Sequence, residues 1–303
     1  MEGRYYNMKM KNCEDQIGFV ILHYQLLEQT IDCVSSIMKY APGSIVVIVD
    51  NGSPNGSGRM LQEKYCNNES VYCLLLEENL GFARGNNVGY QWLKEKGEYD
   101  FICCINNDTL LIQDDFKEKV AYEYRATEFA VMAPLALQKD NSIQSFASSL
   151  KTIEEYQKEY ELWKESETLD YYLSSMDKKT YFLLRFPYVM GLIRKIKQKI
   201  SCPYKRRMKD VVLHGCFLVF SRDYIQRFDT AFNEKTFMYR EEELLYLRVK
   251  EHGLKTLYCP DIVIKHIENA STNDTYTDKE EKYRFRRKNQ LESLKILLSE
   301  LET

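Results

Sequence analysis

The side chains best suited to chemistry are carboxylates at the ends of apolar runs. Asp108 closely follows the apolar run 101–105, which is typical of a buried parallel strand. A carboxylate at the carboxyl end of such a strand lies where open α/β sheets bind their ligands. Its oxygens suit Mg²⁺ or Mn²⁺ bound together with diphosphate oxygens. The structural alternative is an Asn-Asn-Asp turn capped by its own side chains.

Three consecutive glutamates, Glu241, Glu242 and Glu243, begin a predicted helix. Successive side chains on a helix point about 100° apart, so the three cannot all face one ligand. Acids in a first helical turn complement the helix dipole, and this alone is sufficient to explain the run. A functional role needs only one of them as a general base that takes a proton from an acceptor hydroxyl. Clustered carboxylates raise one another's pKa, which favours that role.

Asp50 ends a second apolar run, 45–49, and precedes the turn sequence Asn-Gly-Ser. An aspartate in such a turn commonly binds backbone amides with its side chain. Its position at the carboxyl end of a strand favours a ligand role instead. There the carboxylate is able to accept a hydrogen bond from a base N–H or a ribose hydroxyl.

A glycine-rich stretch, 79–89, opens another predicted helix and is a second candidate for ligand binding. The amide end of a helix attracts phosphate, Gly81 allows close backbone approach, and Arg84 is able to neutralise a diphosphate. The spacing of Gly81, Gly85 and Gly89 also indicates a helix that lies close on a sheet. The stretch matches neither a dinucleotide-binding glycine motif nor a phosphate-binding loop.

His266 follows the short apolar run 262–265, at another predicted strand end. A lone histidine is usually not a ligand. Here it occurs in a chain that already carries a plausible metal site, and an imidazole would bias that site toward Mn²⁺ over Mg²⁺.

The elements that must position these side chains alternate along the first half of the chain. We predict strands at 17–22, 45–49, 71–76, 101–105 and 128–137, and helices at 26–40, 57–66 and 81–96. We further predict a strand over 211–220, a helix over 240–252, short strands at 254–259 and 262–265, and a helix over 278–301. This pattern predicts an α/β fold with a mainly parallel, doubly wound sheet and right-handed crossovers.

Residues 151–209 interrupt the alternation. Their first part is acidic and helical, whereas 178–209 contain eleven Lys or Arg and no Asp or Glu, interleaved with apolar residues. One interpretation is a helical insert whose apolar side packs on the body. The other is a basic amphipathic surface for anionic lipid headgroups or a lipid-diphosphate acceptor. The patch is local and no binding motif accompanies it, so we expect no nucleic-acid partner.

Bulk composition restricts the class of protein. The chain has 303 residues and a net charge of −3, so no global field favours nucleic acid. Its nine cysteines include no CxxC pair, which indicates reduced thiols that mostly fill apolar space. There is no signal peptide and no apolar run long enough to cross a bilayer. We therefore expect a cytoplasmic protein.

Taken in order, these motifs resemble the inverting family 2 glycosyltransferases of bacteria, which have the glycosyltransferase A-type fold. More narrowly, the chain resembles rhamnosyltransferase-like enzymes that build capsular and O-antigen polysaccharides. The matching segments are 17–25, 49–53, 79–86, 106–108, 214–216, 237–243, 266 and 271. As a set they are specific, and they cover roughly 17–137 and 211–272.

On the donor side, the resemblance implies a nucleotide-diphosphate sugar, UDP- or dTDP-linked, and a divalent metal, Mn²⁺ or Mg²⁺. Asp108 would be the last acid of the Asp-x-Asp metal motif and His266 a further metal ligand. Asn106 replaces the first acid of that motif, which removes one charge. Asp50 would contact the nucleotide base. The other nucleotide-sugar-binding residues implied are Asn79, Gly81, Arg84, Asn86 and Asn107.

On the acceptor side, the resemblance implies that Glu242 is the catalytic base, in place of the commoner aspartate. Glu241 would contact the acceptor, and His214 and Gly215 would lie beside it. The acceptor is expected to be a saccharide, lipid-linked at the inner membrane face, with peripheral contact to that membrane. His23 stands where an asparagine is often found near the base pocket. The alternatives are a nucleotidyltransferase and a catalytically weak sugar-nucleotide-binding subunit.

The predicted domain organisation follows from these segments. An N-terminal tail, 1–16, precedes a catalytic domain over 17–277, and a helical segment over 278–303 closes the chain. Within the catalytic domain, 17–137 form the nucleotide-binding half, 151–209 the basic insert and 210–277 the acceptor half.

Overall fold

Strands and helices alternate along the first half of the computed structural model, which describes residues 15–144, 147–175, 203–267 and 278–302. The elements are β1 (Ile17–His23), α1 (Leu27–Tyr40), β2 (Ile45–Asp50), α2 (Ser57–Tyr65), β3 (Val71–Leu75), α3 (Gly81–Lys96), β4 (Phe101–Asn106), β5 (Thr109–Leu111), α4 (Phe116–Thr127) and β6 (Val131–Leu137). The predicted strands and helices of this half are confirmed, with bounds that differ by up to three residues.

The second half is less regular. Its elements are β7 (Ala147–Ser148), α5 (Ile153–Glu165), α6 (Leu169–Ser175), β8 (Met208–Lys209), β9 (Val212–Leu213), β10 (Phe217–Ser221), α7 (Arg222–Arg227), α8 (Glu241–Glu251), β11 (Thr256–His266) and α9 (Lys279–Leu301). Residues 176–202, which hold most of the basic stretch 178–209, lie outside the described residues, as do 1–14 of the predicted tail.

The main sheet has the strand order β3-β2-β1-β4-β10-β6-β11-β5, with β8 paired to β11. Strands β3, β2, β1 and β4 are mutually parallel, and β6 is parallel to β11. Strand β10 runs antiparallel to both of its neighbours, β4 and β6. The sheet is therefore mainly parallel, as predicted. The reversed strand brings the beginning of β10 to the edge where β1, β2 and β4 end.

The predicted strand over 211–220 is wrong as one continuous element. It divides into β9, which pairs with β7 in a separate two-stranded sheet, and β10 of the main sheet, and residues 214–216 connect the two. The physical reason is visible at Gly215, whose backbone N–H donates to Glu242 Oε1 at 3.1 Å and not to a strand partner. The break lets this segment reach the first turn of α8.

The predicted pair of short strands at 254–259 and 262–265 is one strand, β11. Its pairing with β6 shifts register between Cys259 and Val263, around Pro260. Proline has no N–H to donate to a ladder, so the irregularity stays within a single bent strand.

Apolar clusters cover both faces of the sheet. One contains side chains of α1 and α4, and the other contains side chains of α3, α7 and α8. A third cluster joins α5 to α8 and α9 around Tyr156, Trp163 and Leu294. Because α9 packs on α5 and α8, the C-terminal helix is held against the edge of the body where α8 begins.

The spacing of the glycines in α3 serves close packing. A Cβ atom on Gly85 would lie 2.6 Å from Leu22 Cδ1, and one on Gly89 would lie 2.4 Å from Val20 Cγ1. The helix therefore approaches β1 more closely than side chains at these positions would allow. In the described parts of the chain, no helix combines the length and apolarity needed to cross a bilayer.

Candidate active site

A cavity of about 330 Å³ opens at the carboxyl edge of the parallel strands. It is bounded by the ends of β1, β2 and β4, the 214–216 segment and the start of α8. Most of the predicted site residues line it, although they come from distant parts of the sequence: Asn79, Gly81, Asn107, Asp108, His214, Gly215, Glu241 and Glu242. The sheet thus brings motifs that are distant in the sequence together at one site.

Asp108 lines this cavity and faces His266, which lies behind it and does not line the cavity itself. Asp108 Oδ1 lies 3.0 Å from His266 Nε2, and both residues are buried. The contact follows from register, because β11 pairs His266 with Thr109 of β5. Gln144 Oε1 lies 2.7 Å from His266 Nδ1, which orients the ring so that Nε2 faces the carboxylate. A carboxylate oxygen and an imidazole nitrogen this close are able to share one divalent cation.

A second set of donor atoms overlaps this pair. Ligand atoms of His214, Cys216 and His266 all lie within 4.8 Å of one another. Asn106 Nδ2 lies 3.4 Å from His266 Nε2, where the resemblance would place an acid. His266 therefore belongs to two candidate ligand sets, one with oxygen donors and one with nitrogen and sulfur donors.

The first turn of α8 carries two carboxyl groups into the cavity. Glu242 Oε1 accepts from Gly215 N at 3.1 Å and lies 3.9 Å from His214 Nδ1. Desolvation in the cleft, followed by the charge of Glu243, raises the pKa of Glu242 to about 7. Burial, followed by the charge of Glu242, raises the pKa of Glu241 to about 8. A group that titrates near neutrality is suited to proton transfer.

The third glutamate of the run is turned away from this cavity. Glu243 Oε1 accepts from Arg240 Nη1 at 2.9 Å. Arg240 Nη2 also donates to Glu159 of α5 and, at 2.9 Å, to Gln290 of α9. The helical period separates the three glutamates as the sequence predicts, and Arg240 fixes the third.

The backbone immediately before α8 is held in an uncommon conformation. Tyr239 and Arg240 have φ angles of +75° and +67°. Consecutive left-handed residues without glycine are strained, and such strain is concentrated at functional sites where the surrounding structure enforces it. Here the enforcing contacts are those of Arg240 with Glu159 and Gln290.

The turn at 79–81 is shaped by paired asparagines. Asn51 Oδ1 accepts from Leu80 N at 2.8 Å, and Asn79 Oδ1 accepts from Gly81 N at 2.8 Å. Asn51 Nδ2 donates to Asn79 Oδ1 at 2.9 Å. These bonds present the backbone of the turn to the cavity, next to Phe82, whose N–H donates to Phe237 O at 2.7 Å.

Three predicted donor-binding residues do not line the cavity. Asp50 Oδ1 accepts from Ser53 N at 3.2 Å, which is the turn contact that the sequence offers as its structural alternative. Arg84 is exposed, and its Nε donates to Leu80 O at 3.2 Å. Asn86 is buried, and its Nδ2 donates to Phe82 O at 2.9 Å. Their binding roles stay predictions.

Asn107 combines a position at the cavity with a contact behind it. Its Nδ2 donates to Thr30 Oγ1 at 3.1 Å, and Thr30 Oγ1 lies 2.7 Å from His23 Nδ1. His23 Nε2 lies 2.8 Å from Ser57 Oγ. His23 is fully buried and does not line the cavity. Through Thr30 and Asn107 it supports the turn that carries Asp108.

A smaller cavity of about 240 Å³ lies on the other side of Glu242. His214 and Glu242 line both cavities, whereas Val212 and Ser148 line only the smaller one. The two side chains therefore form part of the wall between the two spaces.

Comparison of the sequence with known protein families identifies the family of this chain. Residues 15–289 match the sequence profile of the family described as Glycosyltransferase like family 2. The chain belongs to this family. No curated protein sequence matches it significantly.

The fold of this family 2 member is similar to that of S. aureus TarS, residues 1–349, solved in complex with UDP-GlcNAc. The TM-score is 0.51 at 12% sequence identity, and the similarity covers 90% of this chain. It covers 64% of the TarS chain, so the present chain spans less than two thirds of that structure. The comparison supports the predicted glycosyltransferase A-type fold.

Several cavity residues of this family 2 protein are not among those predicted. Asn51, Cys216, Met238 and Tyr239 line the cavity and belong to the motifs that carry the resemblance, so a signal for them was present in the sequence. Phe285 also lines the cavity. No local pattern marks Phe285, because only the packing of α9 brings it to the site.

Proposed function

We propose that the protein is an inverting glycosyltransferase that moves a sugar from a nucleotide-diphosphate sugar to a saccharide hydroxyl. One observation carries the proposal. Glu242 lies between two cavities, with Asp108 at the side of the larger one and His266 behind Asp108. An inverting transfer fits this arrangement, since the acceptor oxygen must attack the anomeric carbon of the donor on the face opposite the leaving diphosphate. Membership of family 2 supports the same reaction class.

We assign the larger cavity to the donor. Asn79, Gly81 and Asn107 line it and would contact the nucleotide-diphosphate. Asp108 and His266 would hold Mn²⁺ or Mg²⁺, and their 3.0 Å separation fits two ligands of one ion. Such a cation, when bound, supplies positive charge that stabilises the leaving diphosphate. We propose UDP or dTDP as the nucleotide, and TarS was solved with UDP-GlcNAc.

We assign the smaller cavity to the acceptor. Glu242 takes the proton of an acceptor hydroxyl, whose oxygen forms a bond to the anomeric carbon while the bond to the diphosphate breaks. The oxygen attacks from the face opposite the leaving group, so configuration is inverted. Gly215 N holds Glu242 Oε1 at 3.1 Å and thereby fixes the direction in which the base points.

The finer substrate assignment rests on sequence. We propose a lipid-linked saccharide as acceptor and a role in capsule or O-antigen synthesis, with rhamnosyl or another hexosyl group transferred. The eleven Lys or Arg within 178–209 support contact with an anionic lipid-diphosphate at the cytoplasmic membrane face. Asn106, in place of an acid, is the observation that favours the alternative of a weakly active sugar-nucleotide-binding subunit.

Transfer and donor hydrolysis, measured with Mn²⁺ present against uridine, thymidine, guanosine and cytidine diphosphate sugars, test the proposal. We expect Glu242→Gln to lower kcat by about 10²–10⁴-fold, because the amide cannot accept the hydroxyl proton. Donor-induced thermal stabilisation should survive in this variant. A matched control is Glu251→Gln, at the exposed far end of α8, which should keep wild-type turnover.

Three results would contradict the proposal. Unchanged kcat in Glu242→Gln, or a greater loss in Glu243→Gln, would show that the base is misassigned. Release of pyrophosphate from a nucleoside triphosphate without sugar transfer would identify a nucleotidyltransferase. Donor binding with no transfer to any saccharide would leave a binding subunit.

A further inference from the structure

The strand break at 214–216 places two unusual side chains beside the proposed metal ligand. Cys216 O accepts from Asn106 N at 2.9 Å, which ties the segment to the end of β4. His214 and His266 meet edge to face with ring centroids 6.1 Å apart. Donor atoms of His214, Cys216 and His266 lie within 4.8 Å of one another. Cys216 and His266 are buried, and His214 is partly exposed to the cavity.

We propose that His214, Cys216 and His266 form a binding site for a thiophilic divalent cation, with Zn²⁺ as the representative ion. Two imidazoles and one thiolate are the donors that Zn²⁺ prefers. A tetrahedral zinc site needs ligand atoms roughly 3.3–3.8 Å apart, so a small inward movement of the His214 and Cys216 side chains completes the site. Binding deprotonates the Cys216 thiol and releases that proton to solvent.

The ring of His266 is prepared for ligation. Gln144 Oε1 at 2.7 Å from Nδ1 leaves Nε2 as the atom that faces the donor groups. Metal-bound histidines characteristically carry such a partner on the second nitrogen. Asp108 Oδ1 lies 3.0 Å from Nε2 but is not among the residues whose ligand atoms converge, so the fourth position is left for water.

His266 belongs both to this site and to the proposed Asp108–His266 site. A cation bound at one of the two sites therefore prevents a cation from binding at the other. A soft cation bound through Cys216 and a hard cation bound through oxygen ligands would compete for one imidazole. Zn²⁺ is then an inhibitor of the Mn²⁺-supported reaction, and this clause rests on the proposed function. Zn²⁺ binding itself does not.

The other cluster of potential metal ligands among the described residues has no free position for a cation. Glu123, Cys259 and Asp261 also lie close together. Arg207 Nη2 lies 2.6 Å from Glu123 Oε1 and 2.7 Å from Asp261 Oδ2, so a guanidinium already occupies the position of a cation. Cys259 therefore provides a matched control for Cys216.

Titration with Co²⁺, a spectroscopic substitute for Zn²⁺, tests the site directly. We expect one equivalent to produce a thiolate-to-cobalt charge-transfer band that Zn²⁺ abolishes by displacement. Cys216→Ser should lose the band and bind Zn²⁺ at least tenfold more weakly. His214→Gln should also lower the affinity for Zn²⁺ about tenfold. Because His214 is partly exposed, this variant tests the site even if Cys216→Ser folds poorly. Cys259→Ser and Cys66→Ser should match the wild type.

The outcomes separate this site from the proposed function. A band that persists in Cys216→Ser, or that disappears in Cys259→Ser, overturns the site. Simultaneous binding of one Mn²⁺ and one Co²⁺ at the site overturns the shared role of His266. Sugar transfer by a protein that gives no thiolate band overturns the site and leaves the function intact. A thiolate band in a protein that transfers no sugar confirms the site and overturns only the function.

Discussion

Gly81 shows how one backbone conformation shapes the cavity. Its φ angle is +82°, and a Cβ atom there would lie 2.2 Å from Phe237 O. The same carbonyl accepts from Phe82 N at 2.7 Å, so it cannot retreat without losing a hydrogen bond. Glycine is required both by the dihedral angle and by the space.

We expect Gly81→Ala to destabilise the protein by roughly 3 kcal/mol, because left-handed strain and a backbone clash add. Gly56→Ala is the control, since Gly56 has φ +77° and nothing lies within 4 Å of its Cβ position. That variant should lose only about 1–2 kcal/mol, the conformational cost alone. Urea unfolding of both variants measures the difference. Equal losses would contradict the proposed clash with Phe237.

The run of three glutamates illustrates how far residue types alone can be interpreted. The helical period predicts that only some of them face one ligand, and this is confirmed. Which ones do so depends on partners outside the run. Glu243 forms an ion pair with Arg240, and Glu242 accepts a hydrogen bond from Gly215 N. Among the described residues, Glu241 Oε1 is buried without a hydrogen-bond partner, which fits its raised pKa.

At the scale of elements, Arg240 joins three helices at the edge of the site. Its guanidinium contacts Glu159 of α5, Glu243 of α8 and Gln290 of α9. The side chain is only 11% exposed, so solvent screens these contacts weakly. The planar fork of arginine reaches several partners at once, which a lysine ammonium cannot do with the same geometry.

We expect Arg240→Lys to lower stability by about 3 kcal/mol and to lower kcat as well, because the start of α8 loses its anchor. The control is Lys235→Met. Lys235 also reaches α9, through Glu300 at 2.6 Å, but its side chain is 65% exposed. Removing that surface contact should change stability by less than about 0.5 kcal/mol. Thermal unfolding and turnover should be measured on both, and similar stabilities would refute the anchoring role.

The strand break at 214–216 is a feature that element-scale patterns mispredict. The sequence there is apolar enough to continue a strand on both sides. The strand is interrupted there, where the Gly215 N–H donates to Glu242, which is 27 residues further along the chain. A local pattern contains no information about that distant partner.

At the scale of the whole molecule, a buried polar chain links the α2 side of the sheet to the edge that carries Asp108. It runs from Ser57 through His23 and Thr30 to Asn107, with contacts of 2.8, 2.7 and 3.1 Å. Burial lowers the pKa of His23 to about 4, although Asp50, with Oδ1 4.0 Å from Nε2, opposes this shift. His23 is therefore neutral in the folded protein at physiological pH.

This gives global stability a defined dependence on pH. The unfolded chain protonates His23 near its usual pKa of about 6.5, whereas the folded protein does so only near 4. Stability from this group is therefore fully present above about pH 6.5 and falls as the pH drops toward 4, by roughly 3 kcal/mol. Unfolding at a series of pH values should show this loss.

The matched variant is His23→Asn, which keeps a polar side chain but cannot titrate. We expect it to be less stable than the wild type at pH 7 and to lack the component of acid sensitivity between pH 6.5 and 4. The measured quantity is the wild-type-minus-variant difference in unfolding free energy across that range. A difference that stays constant with pH would show that His23 does not titrate as described.

The sequence by itself determined the alternation of β1 to β4 and β6 with α1 to α3, because apolar periodicity is a local property. It did not predict the short strand β5 or helix α4. It also determined that carboxylates and glycines follow the carboxyl ends of strands, which a parallel sheet brings to one edge. Only the tertiary structure decided that Phe285 reaches the cavity and that Cys216 stands beside His266. These depend on contacts between residues far apart in the chain, and packing free energy, which no local pattern encodes, selects among them.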